Sequence, residues 1–278
     1  LDLNSGRGDF AALLGNNAPT NTPFSPATIN GNVLSSSPMA GNGLADTHIH
    51  GTTVIAVKYK DGVINVGDRR ATGGMAIMYD KAEKVLALDD YTLMAISGAF
   101  SKAMDIVRYL RHAFKYYERS QLQPMSLDGK LSELGKVIAG NQMAAMQGIG
   151  VVIPVLSLFD QQANEGRIFF YDAGGARFET AEFGAAGSGS TQIRGVFEYI
   201  AREKEPFLEM DRDTALRQAL LLHQSAADLE AATGGAGKIL PLAKTITADG
   251  IEDVEESTLR SMVGEILSKE PLSVGPQR

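Results

Sequence analysis

Four histidines are the first candidates for acid–base, triad or metal chemistry, and none has suitable neighbours. His48 and His50 form an H-x-H pair, but no cluster of acidic residues or cysteines accompanies it, so a solvated segment is favoured over a metal site. His112 lies in a helical pattern and His223 in the apolar run "ALLLH", which is typical of packing or surface positions. The stretch "GSGS" at 187–190 lacks both the G-x-S-x-G spacing of a nucleophile elbow and the Lys-Ser/Thr of a phosphate-binding loop. The sequence therefore favours a nucleophile that needs no histidine, and it predicts neither a metal nor a cofactor.

A threonine at a chain terminus would be such a nucleophile, and Thr52 is a candidate. It follows Gly51 at the point where a polar segment gives way to a β-branched run. If the peptide bond between Gly51 and Thr52 were cut, Thr52 would carry a free α-amine beside its hydroxyl. The pKa of an α-amine is about 8, so this amine could act as a general base at neutral pH. The alternative is a Gly-Thr-Thr sequence that merely begins a strand.

The composition is that of a globular protein without disulfide or nucleic-acid chemistry. The chain has 278 residues, of which 44% are hydrophobic, a formal net charge of -7 and no cysteine. The size suits one large domain or two small ones, and the negative charge argues against binding to nucleic acid. The longest apolar run, at 148–159, is shorter than the roughly 20 residues that a membrane-spanning helix needs, and no secretory signal is visible. We therefore expect a soluble, cytoplasmic protein with no membrane or nucleic-acid partner.

Residues 1–51 differ from the rest of the chain. Asn, Ser, Gly, Pro, Thr and Ala dominate this segment. It cannot bury enough apolar surface to offset the entropy of ordering, so we expect it to be mostly disordered. One short stretch, "DFAALL", has the spacing of a docking helix. We predict that residues 1–51 are a leader removed at the Gly51–Thr52 bond and that residues 52–278 form the catalytic domain.

The remainder alternates between groups of strands and pairs of helices. Strands joined by tight turns are antiparallel, and the Asp-Gly turns at 61–62 and 249–250 are typical of hairpins. This order predicts an α+β fold, a four-layer αββα sandwich of two antiparallel sheets flanked by helix pairs. The predicted strands are 53–59, 63–72, 84–90, 91–98, 150–160, 166–175, 177–187 and a pair within 243–255. The predicted helices are 101–118, 126–148, 191–202, 213–232 and 256–269.

Several stretches together resemble the proteasome β subunits, which are N-terminal-threonine hydrolases of the αββα fold. "GTTVIAVKYKDGVINVGDRRAT" at 51–72 is similar to the family's leader junction and first hairpin, and "KAEKVLALDDYTLMAISGAF" at 81–100 carries its lysine and glycine. "GSGS" and "ATGG" follow in the family's order and spacing. "NQMAAMQGIGVVIPVLSLFD" and the long leader are most similar to bacterial, actinobacterial-type members. The resemblance covers residue 51 to about residue 269.

The resemblance implies roles for individual residues. Thr52 matches the nucleophile, Lys84 the cation that lowers the pKa of its hydroxyl, and Asp68 the carboxylate that orients the lysine. Ser188 matches a serine that binds near the threonine amine, and Gly98 matches the backbone N–H donor to the oxyanion. Three further positions are implied around this group, namely Arg70, Ser190 and Glu230. Glu230 is a departure, because the family usually has an aspartate there.

The resemblance also implies a substrate site. Thr72 matches a backbone contact to an extended substrate. The pocket for the residue before the cut bond is implied to consist of Ala71, Ala82, Leu86, Ile96, Phe100 and Met104. All six are apolar, so we expect cleavage after large hydrophobic residues, because a charged side chain would be desolvated there without a partner. The ring of Phe100 would fill part of the pocket and shift the preference towards Leu or Ala. The alternative is that these are ordinary core residues.

Two other functions remain open at this point. One is an ATP-dependent peptidase of the HslV type, although Arg69-Arg70 and the leader argue against it. The other is a catalytically silent β subunit, although silent subunits typically lose the threonine or the lysine that this chain retains. The resemblance further implies a stacked-ring assembly with other β subunits and α subunits. A hexameric regulatory ATPase would deliver unfolded protein substrates to it.

Overall fold

In the described part of the chain, the first strand begins at Thr53, directly after the candidate nucleophile. The computed structural model describes residues 52–73, 76–147, 150–230 and 233–268, all of which belong to one compact unit, Ala45–Arg278. The strands are β1 (Thr53–Tyr59), β2 (Gly62–Gly67), β3 (Ala71–Gly73), β4 (Ala76–Tyr79), β5 (Val85–Asp89), β6 (Thr92–Gly98), β7 (Val152–Asp160), β8 (Glu165–Tyr171), β9 (Arg177–Thr180), β10 (Phe183–Gly187), β11 (Leu242–Thr247) and β12 (Gly250–Asp253). The helices are α1 (Phe100–Gln121), α2 (Leu127–Gly140), α3 (Gln142–Met146), α4 (Ser190–Glu203), α5 (Arg212–Leu229) and α6 (Glu256–Ser268), with a 3-10 turn at Phe207–Glu209.

Two five-stranded antiparallel sheets carry most of the strands. The first has the order β10-β1-β2-β11-β12 and the second the order β5-β6-β7-β8-β9. In the first sheet, Val54 pairs with Gly67 and Tyr59 with Gly62, so the start of β1 lies beside the end of β2. Both predicted Asp-Gly hairpins are present, as β1–β2 and β11–β12. The prediction of antiparallel sheets with helices is confirmed.

The alternation of side chains along β1 divides the core. Ile55, Val57 and Tyr59 pack in a cluster with residues of α4, α5 and α6. Val54 and Ala56 point to the opposite face and pack in a second cluster with residues of the other sheet, such as Val155. This is the two-residue period of a strand that is buried on both faces. A third cluster joins the second sheet to α1 and α2.

The structure divides three elements that the periodicity joined. The predicted strand 63–72 is two strands, β2 and β3, which belong to different sheets and are separated by residues 68–70. The predicted helix 126–148 is interrupted at Asn141, whose side-chain amide donates to the carbonyl oxygen of Gly150 at 2.7 Å. The predicted strand 177–187 is two strands, β9 and β10, which belong to different sheets. The hydroxyl of Thr180 donates to the carbonyl oxygen of Phe183 at 2.6 Å and closes the turn between them.

The predictions of a removable leader and of no membrane-spanning segment are compared next with the part of the chain that the structure describes. The predicted leader, with His48, His50 and Gly51, lies outside the described residues. Within the described ranges, no helix has both the length and the apolar composition required to cross a membrane.

Candidate active site

The ammonium group of Lys84 lies between a hydroxyl and a carboxylate. Its Nζ atom is 2.8 Å from Oγ1 of Thr52 and 2.9 Å from each carboxylate oxygen of Asp68. The exposed fractions of the three residues are 2% for Thr52, 0% for Asp68 and 3% for Lys84. Such a contact arranges a cation to stabilise an alkoxide on Thr52.

The strands explain why these three residues meet. Thr52 directly precedes β1 and Asp68 directly follows β2, and the hairpin register places these two strand ends side by side. Lys84 directly precedes β5, and its carbonyl oxygen accepts a hydrogen bond from the backbone N–H of Ile96 in β6 at 2.8 Å. The lysine therefore enters from the second sheet, while the threonine and aspartate come from the first.

Backbone donors fix the carboxylate of Asp68. Its oxygens accept from the N–H groups of Thr53 at 3.1 Å, Arg70 at 3.0 Å and Gly234 at 3.3 Å. The guanidinium of Arg70 is 3.3 Å from the carboxylate of Asp80. A carboxylate held by several N–H groups keeps one orientation, which in turn positions the lysine.

Burial and the neighbouring charge shift the pKa of Lys84 in opposite directions. Removal from water lowers the pKa of the Lys84 ammonium from its ordinary value of 10.5, and the adjacent charge of Asp68 partly opposes this. A lysine with a lowered pKa gives up its proton more easily than a lysine in water does. Lys84 can therefore both stabilise charge on the threonine oxygen and take part in proton transfer.

Two serines of the "GSGS" stretch have different contacts. The hydroxyl of Ser188 is 3.4 Å from the backbone nitrogen of Thr52 and 3.5 Å from its carbonyl oxygen. The hydroxyl of Ser190 donates to the carbonyl oxygen of Gly187 at 2.7 Å, at the start of α4. Ser188 is therefore placed beside the nitrogen that would become the amine, and Ser190 stabilises the turn behind it.

A chain of hydroxyls links the first strand to Glu230. Thr233 Oγ1 donates to the carboxylate of Glu230 and lies 2.8 Å from Oγ1 of Thr53. Glu230 directly follows α5. The hydrogen-bonded hydroxyls that lead from it reach Thr53, and they do not reach the candidate nucleophile Thr52. Thr53 and Thr233 are not predicted as site residues from the sequence, although both belong to family motifs, "GTT" and "ATGG".

Gly98 ends β6 at a position that excludes a side chain. Its φ is +94°, and a Cβ atom there would lie 2.2 Å from the carbonyl oxygen of Val151. Glycine is the residue that adopts this backbone conformation without strain. Gly98 and Thr52 both line one small cavity, so the glycine backbone lies beside the nucleophile candidate.

This cavity has a volume of about 10 Å³. Of the six predicted pocket residues, Ala71, Ile96 and Phe100 line it, and Ala103 joins them. Ala82, Leu86 and Met104 are not among its described lining; Leu86 and Met104 pack in the core around α1 instead. Thr72 is buried in β3, where it pairs with Ile77 of β4.

The described histidines lie outside this group. His112 is exposed on α1, whereas His223 is fully buried on α5. Burial lowers the pKa of the His223 imidazole to about 4, so the ring is neutral at neutral pH. In the parts of the chain that the structure describes, no three His, Cys, Asp or Glu residues cluster as metal ligands.

Comparisons with known proteins identify the family of this chain. Residues 49–239 match the family model described as proteasome subunit. The chain is 36% identical to proteasome subunit beta of Rhodococcus opacus (strain B4), over 99% of this chain and 98% of the relative. It is 38% identical to proteasome subunit beta 2 of Thermomonospora curvata, over 78% and 77% of the two chains, and 34% identical to proteasome subunit beta of Streptosporangium roseum, over 96% and 89%. The chain therefore belongs to the proteasome subunit family and is similar to its actinobacterial β subunits.

Proposed function

We propose that this chain is a threonine endopeptidase subunit of a proteasome core particle and that Thr52 is its nucleophile. The observation that carries the proposal is the contact of 2.8 Å between Lys84 Nζ and Thr52 Oγ1, with Asp68 on the other side of the ammonium. A silent subunit would not need to keep a buried cation against a buried hydroxyl, since burying charge is costly.

The chain first has to expose its nucleophile. In the uncut chain the nitrogen of Thr52 belongs to a peptide bond and cannot act as a base. Thr52 Oγ loses its proton and attacks the carbonyl carbon of Gly51, the C–N bond breaks, the departing nitrogen of Thr52 takes up the proton, and an ester forms. Water then hydrolyses the ester, which releases residues 1–51 and leaves Thr52 with a free amine. The uncut subunit is inactive towards other peptides.

Substrate hydrolysis uses the same oxygen. The free amine of Thr52 accepts the hydroxyl proton, and the Lys84 ammonium stabilises the oxygen as it attacks the substrate carbonyl. The Gly98 N–H donates to the oxyanion, and Ser188 holds the amine in place. The amine returns its proton to the leaving nitrogen, and water then cleaves the acyl ester. No metal or cofactor takes part in this sequence.

The assembly and the cellular location that we propose are based on the family to which the chain belongs. The named relatives are proteasome β subunits, which supports assembly of this chain with other β subunits and with α subunits. The three core clusters support a four-layer αββα order, with helices outside two facing sheets. We place the particle in the cytoplasm, where a hexameric ATPase supplies unfolded proteins.

The test uses the chain assembled with its α subunit. Thr52→Ala should assemble but hydrolyse no peptide, while Thr52→Ser, which keeps a hydroxyl, should retain measurable hydrolysis. Hydrolysis by the alanine variant at the parent's rate would exclude Thr52 as the nucleophile.

A further inference from the structure

Thr53 anchors the start of β1 through its backbone and through its side chain. Its backbone N–H donates to the carboxylate of Asp68 at 3.1 Å, and its carbonyl oxygen accepts from the N–H of Asp68 at 3.2 Å. Its hydroxyl lies 2.8 Å from that of Thr233. The exposed fractions of Thr53 and Thr233 are 0% and 1%, so bulk water does not reach either hydroxyl. The residue that follows Thr52 in the chain is therefore held on two sides.

Glu230 determines the direction of the hydrogen bond between the two hydroxyls. Thr233 donates its only hydroxyl proton to the carboxylate of Glu230. The proton between Thr53 and Thr233 therefore comes from Thr53. The backbone N–H of Thr233 also donates to the carbonyl oxygen of Glu230 at 3.2 Å. The two hydroxyls thus lead to a charged acceptor, and a hydrogen bond to a charged group is stronger than one between neutral groups.

The turn that carries Ser188 packs on this pair of hydroxyls. A Cβ atom on Gly189 would lie 2.3 Å from Oγ1 of Thr53 and 3.2 Å from Oγ1 of Thr233, so the glycine backbone lies directly beside both. Ser188, the preceding residue, has its hydroxyl 3.4 Å from the nitrogen of Thr52. The contact between Thr53 and Thr233 therefore joins three segments next to Thr52, namely the start of β1, the turn before α4 and the segment after α5.

Release of the leader changes what holds Thr52 in place. In the uncut chain Thr52 is bonded to Gly51 on one side and to Thr53 on the other. After the cut only the bond to Thr53 remains, and a chain terminus is poorly ordered unless it is tied down. We propose that Thr53 is a positioning residue of the mature subunit, whose hydroxyl, bonded to Thr233, keeps the freed Thr52 within reach of Lys84. This inference rests on the proposed function.

The test measures leader release and peptide hydrolysis in assembled particles. Thr53→Val keeps the β-branched shape of the side chain and removes its hydrogen bond. It should lower kcat by about tenfold and change KM by less than about twofold, because the lost contact positions the nucleophile and not the substrate. Leader release should still go to completion, since Thr52 is then held from both sides, and this also shows that the variant folds and assembles. Thr53→Ser, which keeps the hydroxyl, should retain at least about half of the parent's kcat.

A second variant tests whether the effect passes through Thr233. Thr233→Val should lower kcat by at least as much as Thr53→Val does. The double variant should be no slower than Thr233→Val, because both changes remove the same contact. The matched control is Thr245→Val, which removes the hydroxyl of a buried threonine from β11 of the same sheet and should leave kcat unchanged.

The parent separates failure of this inference from failure of the proposed function. If the parent releases its leader and hydrolyses peptides, a Thr53→Val variant with the parent's kcat would overturn the role of Thr53 alone. An equal loss of kcat in Thr53→Ser, or a Thr53→Val variant that retains its leader, would overturn it as well. A parent that retains its leader and cleaves no peptide would overturn the proposed function and this inference with it.

Discussion

Acidification should destabilise the fold through one buried histidine. His223 is fully buried on α5, and neither of its ring nitrogens has a hydrogen-bond partner among the described residues. Burial lowers its pKa from 6.5 to about 4, so the unfolded chain takes up a proton at a higher pH than the folded chain does. Between these two values the unfolded state binds more protons, and stability falls as the pH falls.

The size of the effect follows from the two pKa values. Integration of the proton-binding difference from pH 7.5 to pH 5 gives a loss of about 2 kcal/mol in the free energy of unfolding. Below pH 4 the loss levels off at about 3 kcal/mol, because the full shift is then expressed. Other groups titrate in the same range, so the quantity to compare is the difference between the parent and a variant without the imidazole.

The assay is urea unfolding of the unassembled chain at pH 7.5 and pH 5, followed by far-UV circular dichroism at one protein concentration. His223→Leu should lose about 2 kcal/mol less than the parent does between the two pH values. At pH 7.5 the variant should be at least as stable as the parent, since it removes buried nitrogens that lack partners. The matched control, His112→Leu, removes an exposed imidazole from α1 and should behave as the parent. Equal pH dependence in the parent and His223→Leu would refute the reasoning.

Two predictions concern the partners of Thr52. Lys84→Ala should abolish leader release and lower peptide hydrolysis by at least about 100-fold, because both reactions use the same activated oxygen; intact mass and peptide turnover measure the two, and normal turnover would remove Lys84 from the mechanism. Asp68→Asn should be similarly inactive and should also lower the free energy of unfolding by roughly 3–5 kcal/mol, because it leaves the Lys84 ammonium buried without its counter-charge. Urea unfolding at pH 7.5 measures this loss, and a variant as stable as the parent would show that the pair contributes little.

Elements of the fold that are determined by residues close together in the sequence, such as hairpins, could be predicted from the sequence. The Asp-Gly dipeptides define the two hairpins of the first sheet, and the first of these brings Thr52 next to Asp68. The break at Asn141 was missed, because the apolar spacing continues through it and only a side-chain hydrogen bond to Gly150 shows the interruption. The division between β9 and β10 was missed for a similar reason, since both have strand-forming residues and differ only in the sheet that they join.

In the site, too, the contacts between residues distant in the sequence could not be predicted from the sequence pattern. Lys84 could be placed beside Thr52 only through the family resemblance, because the two residues belong to different sheets. Thr53 and Thr233, whose hydroxyls are in contact, are 180 positions apart in the sequence. The spacing does not indicate whether the hydroxyl of Thr52 or that of Thr53 makes this contact. The apolar residue types predicted for the pocket do not reveal which of them line the cavity beside Thr52, and in the structure Ala71, Ile96 and Phe100 do.

We propose that Thr52 becomes the amino-terminal nucleophile of this chain by cutting its own peptide bond. The most direct measurement is the intact mass of the chain after co-expression with its α subunit, for the parent and for Thr52→Ala. We expect a parent chain that begins at Thr52 and an alanine variant that still carries residues before position 52. A parent that keeps its leader in the assembled particle, or an alanine variant cut after Gly51, would contradict it.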